Sequence, residues 1–112
     1  MKDYQLGEFE EIVLLTVAIL NGDAYGVSIK KEIEDRLQRS VSVGALQSAL
    51  RRMEEKDYLS SKFGDATSKR GGKRKRYFEI TDIGKQALAY TKETRNQLWN
   101  AIPDIVFKFS WL

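Results

Sequence analysis

The spacing of apolar side chains divides the chain into three helices, two short strands and a last helix. Leu6 to Leu20 predicts the first helix, with Glu8, Glu10 and Glu11 near its start, where the helix dipole favours carboxylates. Its second half is apolar nearly all round, which predicts a central place in the core. Asn21-Gly22-Asp23 is a stop and turn. A second helix runs from Tyr25 or Gly26 to Gln38, with Tyr25, Ile29, Ile33 and Leu37 on one face. Ser42 is the N-cap of a third helix, Val43 to about Lys56. In that helix Leu46, Ala49, Leu50 and Met53 follow the i, i+3, i+4, i+7 pattern.

The pattern then changes to alternation. One strand covers Tyr58 to Phe63, with Leu59, Ser61 and Phe63 on one side. The other covers Arg76 to Thr81, with Phe78 and Ile80 on one side. Between them Gly64 to Lys75 is too long for a tight hairpin, so it predicts a protruding loop. Thr81 or Asp82 caps a fourth helix. Leu88, Thr91, Arg95, Leu98, Ile102, Ile105 and Phe109 alternate spacings of three and four, and Pro103 kinks or breaks the helix near Ile102.

This order predicts a mainly α protein with a small β-hairpin, a winged helix-turn-helix followed by a C-terminal dimerisation helix. The winged-helix domain spans 1–81. The dimerisation helix and an apolar tail span 82–112. That last segment carries more apolar surface than one small domain buries, which implies a second copy of the chain. Leu88, Thr91, Leu98, Trp99, Ile102 and Val106 are its expected dimer residues.

Composition narrows the chemistry. The 112 residues include no cysteine and no histidine. Disulfides, zinc sites of the Cys/His kind and His-based nucleophilic catalysis are therefore excluded. No cofactor or metal is expected, and an enzyme is the least supported class. The longest apolar run, Ile12 to Leu20, is about half of a membrane span, and the start of the chain has no signal-peptide character. A cytoplasmic place is the expectation. Gly72-Lys73 is followed by Arg74 rather than Ser or Thr, so there is no phosphate-binding loop of the hydrolase kind.

Net charge is +3, yet residues 69–76 alone hold six cations, so the rest of the chain is net negative. A mildly acidic body with one dense cationic loop is the footprint of a polyanion binder. In the loop and the strand it leads into, Lys69, Arg70, Lys73, Arg74, Lys75 and Arg76 suit phosphates or a narrow minor groove. On the third helix the outward Gln47, Ser48, Arg51 and Arg52 suit base edges and phosphates, with Arg52 placed for phosphate. Each set has a plainer reading as solvated surface. Trp99 has two readings: dimer packing, or a platform for a small hydrophobic or aromatic effector held across the dimer axis.

Several segments resemble the PadR family of bacterial repressors over roughly Leu6 to Tyr90. Tyr25-Gly26 resembles the family's Tyr-Gly. Ser42, Gly44, Leu46 and the run Ala49 to Glu54 resemble its third-helix motif. Lys75-Arg76-Tyr77-Phe78, then Ile80-Thr81 and Gly84, resembles its second wing strand. The short C-terminal part resembles the branch with a single dimerisation helix. The resemblance implies a homodimer on a palindromic operator in double-stranded DNA, with Tyr25 and Ser42 joining the third helix and the wing in the contact. Two positions depart from the pattern. Gln47-Ser48 stands where many members have Tyr-Pro, and Asp57 stands where the family usually has glycine. Two other classes stay open: a winged-helix module that holds another protein, and a non-specific or double-stranded RNA binder.

Overall fold

The computed structural model describes residues 4–64 and 74–108. Along these run α1 (Glu8–Leu20), α2 (Gly26–Leu37), α3 (Val43–Glu55), β1 (Leu59–Phe63), β2 (Arg76–Ile80), α4 (Asp82–Ala101) and α5 (Asp104–Lys108). The two strands pair antiparallel, with Leu59 opposite Ile80, Ser61 opposite Phe78 and Phe63 opposite Arg76. Three helices followed by a hairpin make a winged helix-turn-helix.

The core lies where α1, α2 and α3 meet under the hairpin. Val13, Leu14 and Val17 enter it from α1, Ile29 and Ile33 from α2, and Leu46, Ala49, Leu50 and Met53 from α3. Leu59, Phe78 and Ala87 close it from the wing and from α4. The predicted α3 face is therefore the buried one.

Two expectations need correction. Leu37 does not share the buried face of α2, being 48% exposed. Spacings of four overshoot the helical repeat by about 40° each, so the stripe rotates out of the core by the last turn. The second half of α1 is not buried all round either. Leu15 is 44% and Ile19 50% exposed, because the neighbouring helices cover only one side of α1.

The helix ends are set by local chemistry. Ser42 Oγ accepts the Ala45 N–H (3.2 Å) at the start of α3, and Thr81 Oγ1 accepts the Gly84 N–H (3.0 Å) at the start of α4. At α1 and α2 the third helical residue reaches back instead. Gly7 N–H donates to Glu10 Oε1 (3.0 Å) and Tyr25 N–H to Ser28 Oγ (2.9 Å). Helix α4 ends at Ala101, and Ile102 takes the extended conformation that a following proline requires.

The α1 carboxylates do more than complement a dipole. Glu8 pairs with Arg39 at the α2–α3 turn (3.4 Å), and Glu11 pairs with Arg95 on α4 (2.8 Å). Glu10 is buried and takes Arg52 Nε (3.0 Å) and Lys56 Nζ (3.4 Å). Burial pushes its carboxyl up, but the Gly7 N–H, Arg52 and Lys56 outweigh that and hold it below the ordinary carboxylate range.

After α3 the chain turns through Asp57, whose φ of 63° lies in the left-handed region. Aspartate tolerates this conformation, whereas glycine takes it without the Cβ penalty. Asp57→Gly should therefore raise stability by about 0.5–1 kcal/mol, read as the midpoint of urea unfolding. A lowered midpoint would show that the aspartate side chain has a stabilising role.

Glu10 gives a second expectation. Its depressed folded pKa contributes stability that is present above the ordinary carboxylate range and is lost as pH falls through the folded value. Glu10→Gln should cost about 1–3 kcal/mol at neutral pH and flatten the loss of stability below pH ~5. An acid-unfolding profile parallel to the parent's would remove Glu10 from that role.

Candidate nucleic-acid interface

The exposed end of α3 is its first turn. Ser42, Val43, Gly44, Ala45 and Gln47 face solvent there, with Ser48 half-buried and Arg51 exposed further along. The side chains of Gln47, Ser48 and Arg51 make no hydrogen bond or ion pair with any described residue. The Ser42 hydroxyl uses its oxygen for the cap, which leaves its O–H as a donor. Gln47 lies against the start of α2, where a Cβ added to Gly26 would come 3.4 Å from Gln47 Nε2.

The α2–α3 turn that presents this end is tied from below. Glu34 accepts the Val41 N–H (2.8 Å) and pairs with Lys30 (3.1 Å). The Val41 hydrogen bond, and after it the lysine, holds the Glu34 carboxyl below its ordinary range.

The base of the wing packs on the start of α2. Phe78 N–H donates to Ala24 C=O (2.8 Å), so β2 is fastened to the α1–α2 turn. The Tyr25 ring meets Tyr77 edge-on (5.6 Å), and Lys75 Nζ lies 4.2 Å from the Tyr25 ring centre. Gly64 N–H donates to Lys75 C=O (2.7 Å), which carries the ladder past both strands. Gly64 also touches Tyr77 so closely that a Cβ would come 2.8 Å from the ring. Arg74 lies 5.4 Å from the Phe63 ring centre, at the outer edge of the wing. Tyr25, Gln47, Arg74 and Lys75 thus come together around one end of the molecule. Lys69, Arg70 and Lys73 lie outside the described residues.

Two of the expected DNA contacts, both half exposed, also pair within the protein. Arg52 turns to Glu10 on α1. Arg76 turns to Glu54 and Ser61. Residue type alone had grouped them with Arg51, but the carboxylates that hold them come from distant parts of the chain. Sequence reasoning also passed over Val43, which is 60% exposed at the head of α3. An apolar residue directly after a predicted N-cap, outside the buried stripe, was the signal that marked it.

The expected dimer residues divide in two. Leu88 packs partly against the core, and the Thr91 hydroxyl donates to Ala87 C=O (2.8 Å) within α4. Leu98 and Trp99 are 68% and 63% exposed, Val106 is exposed, and Ile102 is half-buried. One face of Trp99 stacks on Phe107, ring centres 6.0 Å apart and 13° from parallel. Trp99 also lines a groove of about 390 Å³ with Glu11, Leu15, Leu88, Ala89 and Arg95. No group of three or more acidic residues that could hold a metal occurs among the described residues. No described helix is long and apolar enough to cross a membrane.

The model of the Transcriptional regulator PadR-like family matches residues 14–90. No curated protein matches the sequence. Solved structures do. A PadR family transcription regulator from Clostridium difficile R20291 is 31% identical over 80% of this chain and 91% of its own, with a TM-score of 0.62. The smu.1704 structure from Streptococcus mutans UA159 is 27% identical over 95% of each chain, with a TM-score of 0.66. A PadR family regulator from Eggerthella lenta DSM 2243 is 22% identical over 90% of this chain and 88% of its own, with a TM-score of 0.69. The family match covers the helix-turn-helix, the wing and the first part of α4, and the chain belongs to the PadR-like family of transcriptional regulators.

Proposed function

We propose that this regulator represses transcription in the cytoplasm by binding a palindromic operator as a homodimer. The observation that carries the reading is the exposed, unengaged N-terminal half of α3 beside a cationic wing. Helix-turn-helix proteins place that part of the second motif helix in the major groove. Gln47 suits the adenine edge and Arg51 the guanine edge, while Ser42 and Ser48 suit phosphates. Val43 suits a thymine methyl group. Tyr25, Arg74 and Lys75, with Lys69, Arg70 and Lys73, serve the flanking backbone or minor groove.

The second copy packs along α4 and α1. Leu98, Trp99 and Val106 are exposed apolar side chains that want cover, and Leu15 and Ile19 are exposed on α1. An aromatic effector would enter this same region, with Trp99 as its platform.

Two experiments test the reading. A gel-shift titration on the promoter of the protein's own gene, with excess competitor DNA, should give a discrete shift that survives competitor. Gln47→Ala should then change base preference at one operator position by about 1–3 kcal/mol. A shift abolished by competitor would leave only general polyanion affinity. Leu98→Asp should yield a monomer by sedimentation and lose most operator affinity. A variant that remains dimeric would place the interface elsewhere.

A further inference from the structure

One arginine fastens the wing to the recognition helix. Arg76 opens β2 and stands opposite Phe63. Its Nε donates to Ser61 Oγ (2.9 Å), and its Nη2 donates to Glu54 Oε1 (2.6 Å). The Ser61 hydroxyl in turn donates to Glu54 Oε2 (2.7 Å). The guanidinium carbon lies 5.5 Å from the Phe78 ring centre and 5.8 Å from that of Phe63. Both oxygens of Glu54 are thus used, as are two positions of the arginine fork. Glu54 sits in the last turn of α3, and Ser61 is in the middle of β1. The closed set therefore joins the recognition helix to both strands of the wing.

We propose that Glu54 is a positioning residue for DNA recognition. Through Arg76 and Ser61 it sets the angle of the wing relative to α3. Arg76 accordingly acts on the wing and not on a phosphate. For Arg76 to swing onto DNA it must break charge-assisted hydrogen bonds and leave a largely covered carboxylate unpaired, its side chain being only 26% exposed. A crevice of about 180 Å³ at this junction is lined by Gln47, Arg51, Glu54 and Arg76. A change in the clamp therefore reaches the side chains proposed to read bases. Lysine keeps the charge but lacks the planar fork, so it cannot hold Glu54 and Ser61 together.

The affinity readout of this inference rests on the DNA-binding reading above, while its motional readout does not. The variants are Arg76→Lys and Glu54→Gln in the full chain, with Arg76→Ala as the control for a phosphate contact. In the free protein, amide hydrogen exchange at Leu59–Phe63 and Arg76–Ile80 should quicken about tenfold in both, with α2 amides unchanged. On operator DNA, both variants should weaken binding about tenfold or more, with the slope of log affinity against log salt unchanged. A phosphate contact by Arg76 would instead be largely retained in Arg76→Lys, and in Arg76→Ala it would lower the slope by about 0.9. Either that slope change or unaltered exchange in the wing overturns the proposal. If the parent protein binds no DNA, the function proposed above fails, and wing exchange still decides the clamp.

Discussion

The backbone at Tyr58 is the constraint on which the arrangement of the whole protein depends. Its N–H donates to Met53 C=O (2.8 Å) and so finishes α3. Its C=O accepts the Thr81 N–H (3.0 Å) and so finishes the wing. The first turn of α4 then passes so close that a Cβ on Gly84 would lie 2.2 Å from the same oxygen. Only glycine allows that approach. Thr81 Oγ1 completes the junction, donating to Asp57 C=O (2.6 Å) while it caps α4. The end of α3, the wing and α4 therefore meet within a few residues, and the direction of one sets the direction of the others.

Around that junction, carboxylates sort the cations. Arg39, Arg52, Lys56, Arg76 and Arg95 each pair with a glutamate on another element. Exposed ion pairs contribute roughly 0–1 kcal/mol, so stability is not their main consequence. Their consequence is placement. They draw those five cations inward and leave Arg51, Arg74 and Lys75 without an ion-pair partner among the described residues. Glu10 differs from the others because it is buried. Removing its partners would leave a covered charge uncompensated, and this makes it a structural residue rather than a surface ornament.

Much of this architecture was legible in the chain. Helical periodicity found α1 to α4 because a one-sided core repeats every three or four residues, and α3 shows that stripe without error. Ser42 and Thr81 were legible as caps, because a side-chain oxygen before an apolar run satisfies otherwise orphaned N–H groups. Pro103 was legible as the end of α4, since it disfavours helical geometry in the residue before it. The cationic wing and the exposed Gln47 and Arg51 followed from charge density and from the face opposite the buried stripe.

By itself, then, the sequence determined the order of elements, their caps, the buried face of α3 and the place of the positive charge. All of these depend on neighbours within a few residues. Only the tertiary structure decided which cations stay available. Glu10 meets Arg52 across 42 positions and Glu54 meets Arg76 across 22, and no local pattern encodes such a pairing. It also decided that Leu15, Ile19 and Leu37 stay exposed, because the outline of the core depends on how the helices cross. The spacing of apolar residues says which side of a helix is apolar, and packing says how much of that side is covered.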